Sequence, residues 1–344
     1  MFVSAGGFHS CAVFKGGQGV SAWGRGGEGQ LGNEERFTID LPKKMTSRIL
    51  DDGEHEGLYG QKIQQVACGL WHTIILTTSG LLFACGRAME GQLGIEEPFP
   101  YVLLPCRLHS LYKDRVIMTS IAAGKDHTIA LDNKKRVWAW GSNANGQLGV
   151  GKFEAEVGKD LPISEVPRLV SGLEDVDVQE IFCSAETSAV LDAKGRLFTW
   201  GKGKCMSLGT MNEEDVFEPG QMAALDGFSI VHVGVGDKHM VALMNSASSN
   251  KQVVRTASVS STGTHSHGRG SPDSQGKQSA YAGGSPSSDT QRQDSPTPAG
   301  GGSYTSIQAY GQGVGKGGAE VTSILGGMFG GGGSRSEGQR GAMA

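Results

Sequence analysis

The 344-residue chain has no Cys-x-x-Cys pair, no apolar run approaching the roughly eighteen residues of a membrane span, and no Gly-Lys-Ser/Thr step. Each absence closes off a class of function. Cys11, Cys68, Cys85, Cys106, Cys183 and Cys205 are scattered, so they read as free thiols of a buried core and not as metal ligands or disulfides. Residues Met1 to Phe14 carry no basic stretch and are broken by Gly6 and Gly7, unlike a secretory leader. A reducing compartment, cytoplasm or nucleus, is therefore expected, with no membrane contact. Loose Gly-x-Gly patterns at Gly24 to Gly29 and Gly311 to Gly318 do not sit between a strand and a helix, so no nucleotide site or other cofactor is expected. No Ser/His/Asp or Cys/His arrangement and no spaced carboxylate pair is present, and the chain is not expected to be an enzyme. Basic charge is also short: 23 Lys+Arg face 30 Asp+Glu through residue 245, and 8 face 5 beyond it. Without a concentrated basic patch, nucleic acid is not expected as a partner.

What the sequence does contain is a repeated module. Trp140 to Gly149 reads WGSNANGQLG, and relatives start at Trp23 (WGRGGEGQLG), Cys85 (CGRAMEGQLG) and Trp200 (WGKGKCMSLG). Their fixed positions are Trp23, Gly24, Leu31 and Gly32; Gly86, Leu93 and Gly94; Trp140, Gly141, Leu148 and Gly149; Trp200, Gly201, Leu208 and Gly209. Upstream of each lies a second marker, a glycine followed three residues later by histidine: Gly6 and His9, Gly69 and His72, Gly124 and His127, with Ser184 and Thr187 as a degenerate copy. A further upstream marker, Gly236 and His239, has no Trp-Gly partner directly after it. Internal repeats of this length decide the architecture before any local reading does.

Within each copy the pattern is that of strands. Ile121-Ala-Ala-Gly124 is short and small, His127 to Leu131 is β-rich, Asp132 to Lys135 is a turn, and Val137-Trp-Ala-Trp140 alternates. Small residues suit the innermost strand of blades packed about an axis, while bulky ones belong between blade faces. Leu148 is expected to be a buried anchor. Asn143, in the same loop, is expected at the surface, where replacement by alanine is nearly neutral. The connection from Asn33 to Gln65 reads as an exposed acidic loop. The basic triplet Lys134 to Arg136 reads as a solvated turn.

These A-x-G-x-x-H-T and W-G-x(5)-Q-L-G elements resemble the regulator of chromosome condensation repeat family, over residues 2 to about 245. The resemblance implies an all-β fold, a β-propeller of four-stranded antiparallel blades. Seven blades are usual in that family. Four repeats plus the first strands of a fifth are present here, an open arc with uncovered apolar faces at both ends. Self-association, a fragment or poor solubility follows from that expectation. Residues 246–344 turn Ser-, Gly- and Pro-rich and read as a disordered tail with four Ser/Thr-Pro steps at Ser271, Ser285, Ser295 and Thr297. Within it, 306–311 could be a displaced strand of the fifth blade.

Two functions are carried forward. A propeller offers loop faces on a rigid frame, which suits a scaffold binding a protein partner. The alternative, implied by the family's founding members, is guanine-nucleotide exchange on a small GTPase. Exchange-active relatives carry an inserted wedge in one aromatic-Gly to Leu-Gly loop, and all four such loops here have one length. With the first repeat reading from Phe2, the basic arm of chromatin-bound relatives is not expected either. Scaffold is therefore the preferred reading, with Asp126, Asp237 and Lys238 as candidate face residues. His9, His72, His127 and His239, one per blade, cannot converge on one metal ion. The five tryptophans read as blade packing and not as the light-sensing cluster known in this family, since Trp71 stands one place late for it.

Overall fold

A computed structural model of the chain describes residues 2–49, 55–95, 99–113, 115–155, 162–245 and 307–308. Blade 1 consists of β1 (Phe2–Ala5), β2 (His9–Val13), β3 (Val20–Gly24) and β4 (Ile39–Lys44). A small hairpin, β5 (Ser47–Ile49) with β6 (His55–Gly57), precedes blade 2. Blade 2 holds β7 (Ile63–Cys68), β8 (His72–Thr77), β9 (Leu82–Arg87) and β10 (Tyr101–Arg107), followed by a one-turn helix α1 (His109–Lys113). Blade 3 is β11 (Met118–Ala123), β12 (His127–Asp132), β13 (Val137–Ser142) and β14 (Ile163–Leu169). Blade 4 is β15 (Val178–Cys183), β16 (Thr187–Asp192), β17 (Leu197–Gly201) and β18 (Val216–Gln221). A two-stranded sheet of β19 (Ile230–Val235) and β20 (Met240–Met244) begins a fifth. β21 (Ile307–Gln308) completes the described strands.

The hairpin turns follow from side chains that can bond their own backbone. Asp132 is buried, and its Oδ1 accepts from the N–H groups of Lys134 (2.8 Å) and Arg136 (2.9 Å) while Oδ2 pairs with Arg136 Nε at 2.7 Å. Asp192 repeats the arrangement with Lys194 and Arg196. An Asp in this position replaces the missing ladder partner of a tight turn. The basic triplet is thus a turn whose arginine is tied to its own aspartate.

Among the described residues the apolar side chains do not form one central core. Instead four apolar slabs each lie between neighbouring blades, and the repeat markers stitch them. Between blades 2 and 3, His72 Nε2 lies 3.0 Å from Thr128 Oγ1, and that hydroxyl donates to the Gln92 carbonyl at 2.9 Å. Trp140 Nε1 donates to the same carbonyl at 2.9 Å. A hydroxyl has one proton, so His72 must supply the proton of its own bond, which fixes the Nε2–H tautomer. The set recurs between blades 3 and 4 with His127, Ser188, Gln147 and Trp200. Between blades 1 and 2 it recurs with His9, Thr73 and Gln30, where Cys85 stands in place of tryptophan. Leu31, Leu93, Leu148 and Leu208 are fully buried beside these joints. Gly149, at φ +68°, lies so close to Trp200 that a Cβ would sit 2.7 Å from its Nε1. The GQLG step is therefore a glutamine carbonyl offered to the next blade, with a glycine that lets its tryptophan approach.

Blade 4 lacks both partners, carrying Thr187 for histidine and Ser207 for glutamine. The joint to the fifth sheet is instead Ser184 Oγ donating to the Gly236 carbonyl at 2.6 Å. Among the described residues, the fifth-sheet end of the arc is open. Val241 and Leu243 on β20 are 63% and 62% exposed, and His239 is exposed where His9, His72 and His127 are buried. Trp23 is half-buried, against complete burial of Trp140 and Trp200.

Several expectations are corrected. Asn143 is fully buried: its Nδ2 donates to the Gly151 carbonyl at 3.0 Å and its Oδ1 accepts from Leu148 N–H at 3.1 Å. The connection from Asn33 to Gln65 is not a plain loop, since it contains β4 and the β5–β6 hairpin, with Arg48 paired to Glu34 and, at 2.7 Å, to Glu56. Ile307–Gln308 pairs antiparallel with β1, Ser4 opposite Gln308, and not with the fifth sheet. Cys205 is exposed and Cys106 half-buried, so the core thiols are Cys11, Cys68, Cys85 and Cys183. The rest of the 246–344 segment, including its Ser/Thr-Pro steps, lies outside the described residues.

Candidate functional site

One end of the arc gathers the residues that vary between copies. In each blade the residue before the marker position accepts a backbone bond from the residue after the Trp-Gly or Cys-Gly step. Arg25 N–H donates to Phe8, Arg87 to Trp71, Ser142 to Asp126 and Lys202 to Glu186, all at 2.8 to 3.0 Å. Register explains the pattern, because His127 lies opposite Gly141 and its counterparts do the same. Gly141 has φ +105°, and a Cβ there would sit 2.5 Å from the Asp126 carbonyl, so only glycine allows this approach. The markers thus build a rim at which the side chains of the intervening residues are left free to differ.

At the blade 1 end the rim is aromatic. Phe8 and Trp71 stack with centroids 4.3 Å apart, and the Arg25 guanidinium lies 4.9 Å from the Trp71 ring. Trp71 therefore belongs to the rim, contrary to the expectation of blade packing. Toward blades 2 to 4 the rim becomes ionic. Arg87 pairs with Glu90 at 2.6 Å, Lys125 lies 3.6 Å from Asp126 and 3.7 Å from Glu186, and Lys202 pairs with Glu186. Asp237 and Lys238 share a cavity of about 270 Å³ with Glu186, Lys202 and Lys204. The axial space enclosed by Gly6, Gly69, Gly124 and Ser184 is only about 20 Å³, room for a water and little else.

Asp126 is the most perturbed acid on the rim. Burial, reinforced by the Glu90 carboxylate and opposed by Lys125 and Arg87, raises its pKa to about 6. A carboxyl raised in the folded state favours the protein below its unfolded pKa. That advantage is lost as pH rises toward about 6, so at neutral pH the charged Asp126 is held at a cost to stability. Residues kept under such tension concentrate where function needs them. Lys125 is raised in turn, the attraction of Asp126 and Glu186 outweighing burial.

The structure brings Asp126 into one ionic run with Arg87, Lys125, Glu186 and Lys202, and places Asp237 and Lys238 at its far end. The marker histidines do not join it. Phe8, Arg25, Arg87, Glu186 and Lys202 were not singled out from the sequence. The available signal was their position, since each stands immediately beside a marker yet changes type from copy to copy.

Blades joined through repeat markers about a narrow axis define an arc of a β-propeller. The chain belongs to the RCC1-like domain family, whose profile matches residues 1–309. It is 33% identical over 245 residues to the human probable E3 ubiquitin-protein ligase HERC6, covering 71% of this chain and 22% of that protein. It is 29% identical to the Arabidopsis thaliana ultraviolet-B receptor UVR8, covering 71% of this chain and 50% of the receptor. Among solved structures, human WBSCR16 matches with TM-score 0.58 and 26% identity, covering 71% of this chain and 57% of that one. Yeast Prp20p, studied with its binding properties to Gsp1p and histones, matches with TM-score 0.58 at 23% identity over 70% of this chain and 54% of that one, a likeness of fold. The chain spans only about half or less of the length of these curated relatives. No helix among the described residues is long and apolar enough to cross a membrane.

Proposed function

We propose that this chain is a protein-interaction scaffold whose marker-loop rim recognises a protein partner, in the cytoplasm or nucleus. The observation that carries the reading is Asp126, kept charged at a cost beside Arg87, Lys125 and Glu186 on a rim whose neighbouring positions vary while its frame repeats. Surface pairs of this kind contribute little to folding; alternating charge instead orients and selects a partner. The Phe8, Arg25 and Trp71 stack adds an anchor of the residue types that dominate interface energy. The ligase activity named for HERC6 is not carried over, because this chain matches 22% of that protein.

Nucleotide exchange on a small GTPase is the second reading, favoured by the likeness to Prp20p and to a Caenorhabditis elegans homologue of a retinitis pigmentosa GTPase regulator. The uniform length of the four loops from the Trp-Gly or Cys-Gly step to Leu-Gly argues for scaffold over exchange. The test is a triple variant, Arg87→Glu, Lys125→Glu, Lys202→Glu, compared with wild type by proximity labelling in cells. Loss of about tenfold or more in the labelled neighbours, equivalent to about 1.4 kcal/mol of binding, with an unchanged thermal melt supports the rim. Unchanged labelling removes it. GDP release from a small GTPase, measured alongside, is expected to proceed at the same rate with and without the chain.

A further inference from the structure

The joint between blades 1 and 2 places three thiols where the next joint places none and the one after places one. Where the blade 2–3 slab holds Ile74, Ala123 and Trp140, and the blade 3–4 slab holds Ile129, Cys183 and Trp200, this one holds Cys11, Cys68 and Cys85. All three thiols are buried. His9, in the marker position, adjoins them, and one imidazole nitrogen with the sulfurs of Cys11 and Cys68 lie within 4.8 Å of one another. The His9 Nδ1 is buried without a hydrogen-bond partner, as are those of His72 and His127. What sets this joint apart is the two sulfurs beside the ring. Linear spacing hides the cluster, because positions 9 and 11 come from one blade and position 68 from the next.

We propose that His9, Cys11 and Cys68 bind a thiophilic d10 metal ion, Zn²⁺, as a clamp between the first two blades. Zinc bonds of about 2.3 Å to sulfur and 2.0 Å to nitrogen set tetrahedral ligand separations near about 3.8 Å. Small side-chain rotations close the present cluster to that size. Two thiolates and a neutral imidazole around a doubly charged ion carry no net charge, which an apolar interface tolerates far better than an isolated ion. Binding exchanges two S–H bonds for two Zn–S bonds, the two protons leave to solvent, and no electron is transferred. The pair is already polarised. Burial and the neighbouring Cys68 hold the Cys11 thiol above its ordinary value. For Cys68, burial is outweighed by the hydrogen bonds of Cys11 and His9, which hold it below.

The test uses the full chain, purified after expression with Zn²⁺ and analysed for bound metal. A double variant, Cys11→Ile with Cys68→Ala, takes the residues that the blade 2–3 joint holds at these places and so preserves packing. About one zinc per chain is expected in wild type, equally in a Cys205→Ser control for the exposed thiol, and at least about tenfold less in the double variant. Refolding with Co²⁺ in place of zinc should give thiolate-to-metal charge-transfer absorption in wild type only. Should the double variant fail to fold by circular dichroism, Cys11→Ser is read instead, and the charge-transfer band is expected to fall by half. Equal metal content in wild type and variant, or a Cys11–Cys68 disulfide found by mass mapping, overturns the proposal.

Discussion

Moving the protein from pH 7 to pH 5 is expected to cost about 3 kcal/mol of folding stability. The source is the pair of joint histidines. His72 and His127 are fully buried, and burial lowers both to a pKa of about 3, with His9 and His127 adding to the effect at His72. Each donates its Nε2 proton to the next blade and leaves Nδ1 without any acceptor, so a second proton has nowhere to bond. A histidine depressed in the folded state contributes stability that is present above its unfolded pKa near 6.5 and lost as pH falls toward 3. Between pH 7 and 5 each is worth about 2 kcal/mol. Asp126 works in the opposite direction, since protonating its raised carboxyl returns about 1 kcal/mol over the same interval. Urea unfolding at half-unit steps from pH 5 to 8 measures the sum. His127→Gln should halve the slope, and a wild-type stability that is flat across this range would show that the rings are not held neutral.

The second large effect is expected at a residue that looked inconsequential. Asn143→Ala should cost about 2 to 4 kcal/mol, because it strands the buried Leu148 N–H, at about 1 to 3 kcal/mol, and the half-buried Gly151 carbonyl, at less. Leu148→Ala, which empties a buried site against Trp200 and Val170, should cost about 2 to 5 kcal/mol. The two losses are therefore comparable, although one removes hydrocarbon and the other only hydrogen bonds. Asn143→Asp separates them: it keeps the oxygen that accepts from Leu148 but turns an acceptor toward the Gly151 carbonyl. Chemical denaturation of the three variants reads all of this. A loss below about 0.5 kcal/mol for Asn143→Ala, the ordinary surface value, would show that the loop is not closed in solution.

Asn143 also shows where reading the chain by itself stops. The frame was legible because each marker performs one fixed task wherever it recurs: a glycine where a Cβ would strike a carbonyl, a leucine in the slab, and at the first three joints a histidine bonded across to the next blade. Tasks that recur leave residues that recur. Asn143 performs its task in one loop only, between residues eight apart, and nothing in the other copies points to it. The rim is legible in position and not in identity, since its contacts join different blades and each pair is unlike the next. Trp71 was misplaced for that reason, its partners Phe8 and Arg25 being fixed by register across two sheets. Thiols of positions 11 and 68 meet only because two blades face each other, which no spacing rule for local metal motifs detects. The pairing of Ile307–Gln308 with β1 depends on an edge left open near the start of the chain, so composition near residue 307 could not assign it.

The central claim is that the markers hold the blades together while the residues between them, at one end of the arc, meet the partner. Lysines stand at both ends and permit a direct test. Lys125, Lys202 and Lys238 lie on the rim, whereas Lys15, Lys134 and Lys194 lie in hairpin turns at the opposite ends of the blade strands. Amine cross-linking of the full chain in cells, followed by mass mapping, reports which set touches other proteins. The account predicts intermolecular cross-links at Lys125, Lys202 and Lys238 and a bare set of turn lysines. Cross-links confined to Lys15, Lys134 and Lys194 would contradict it.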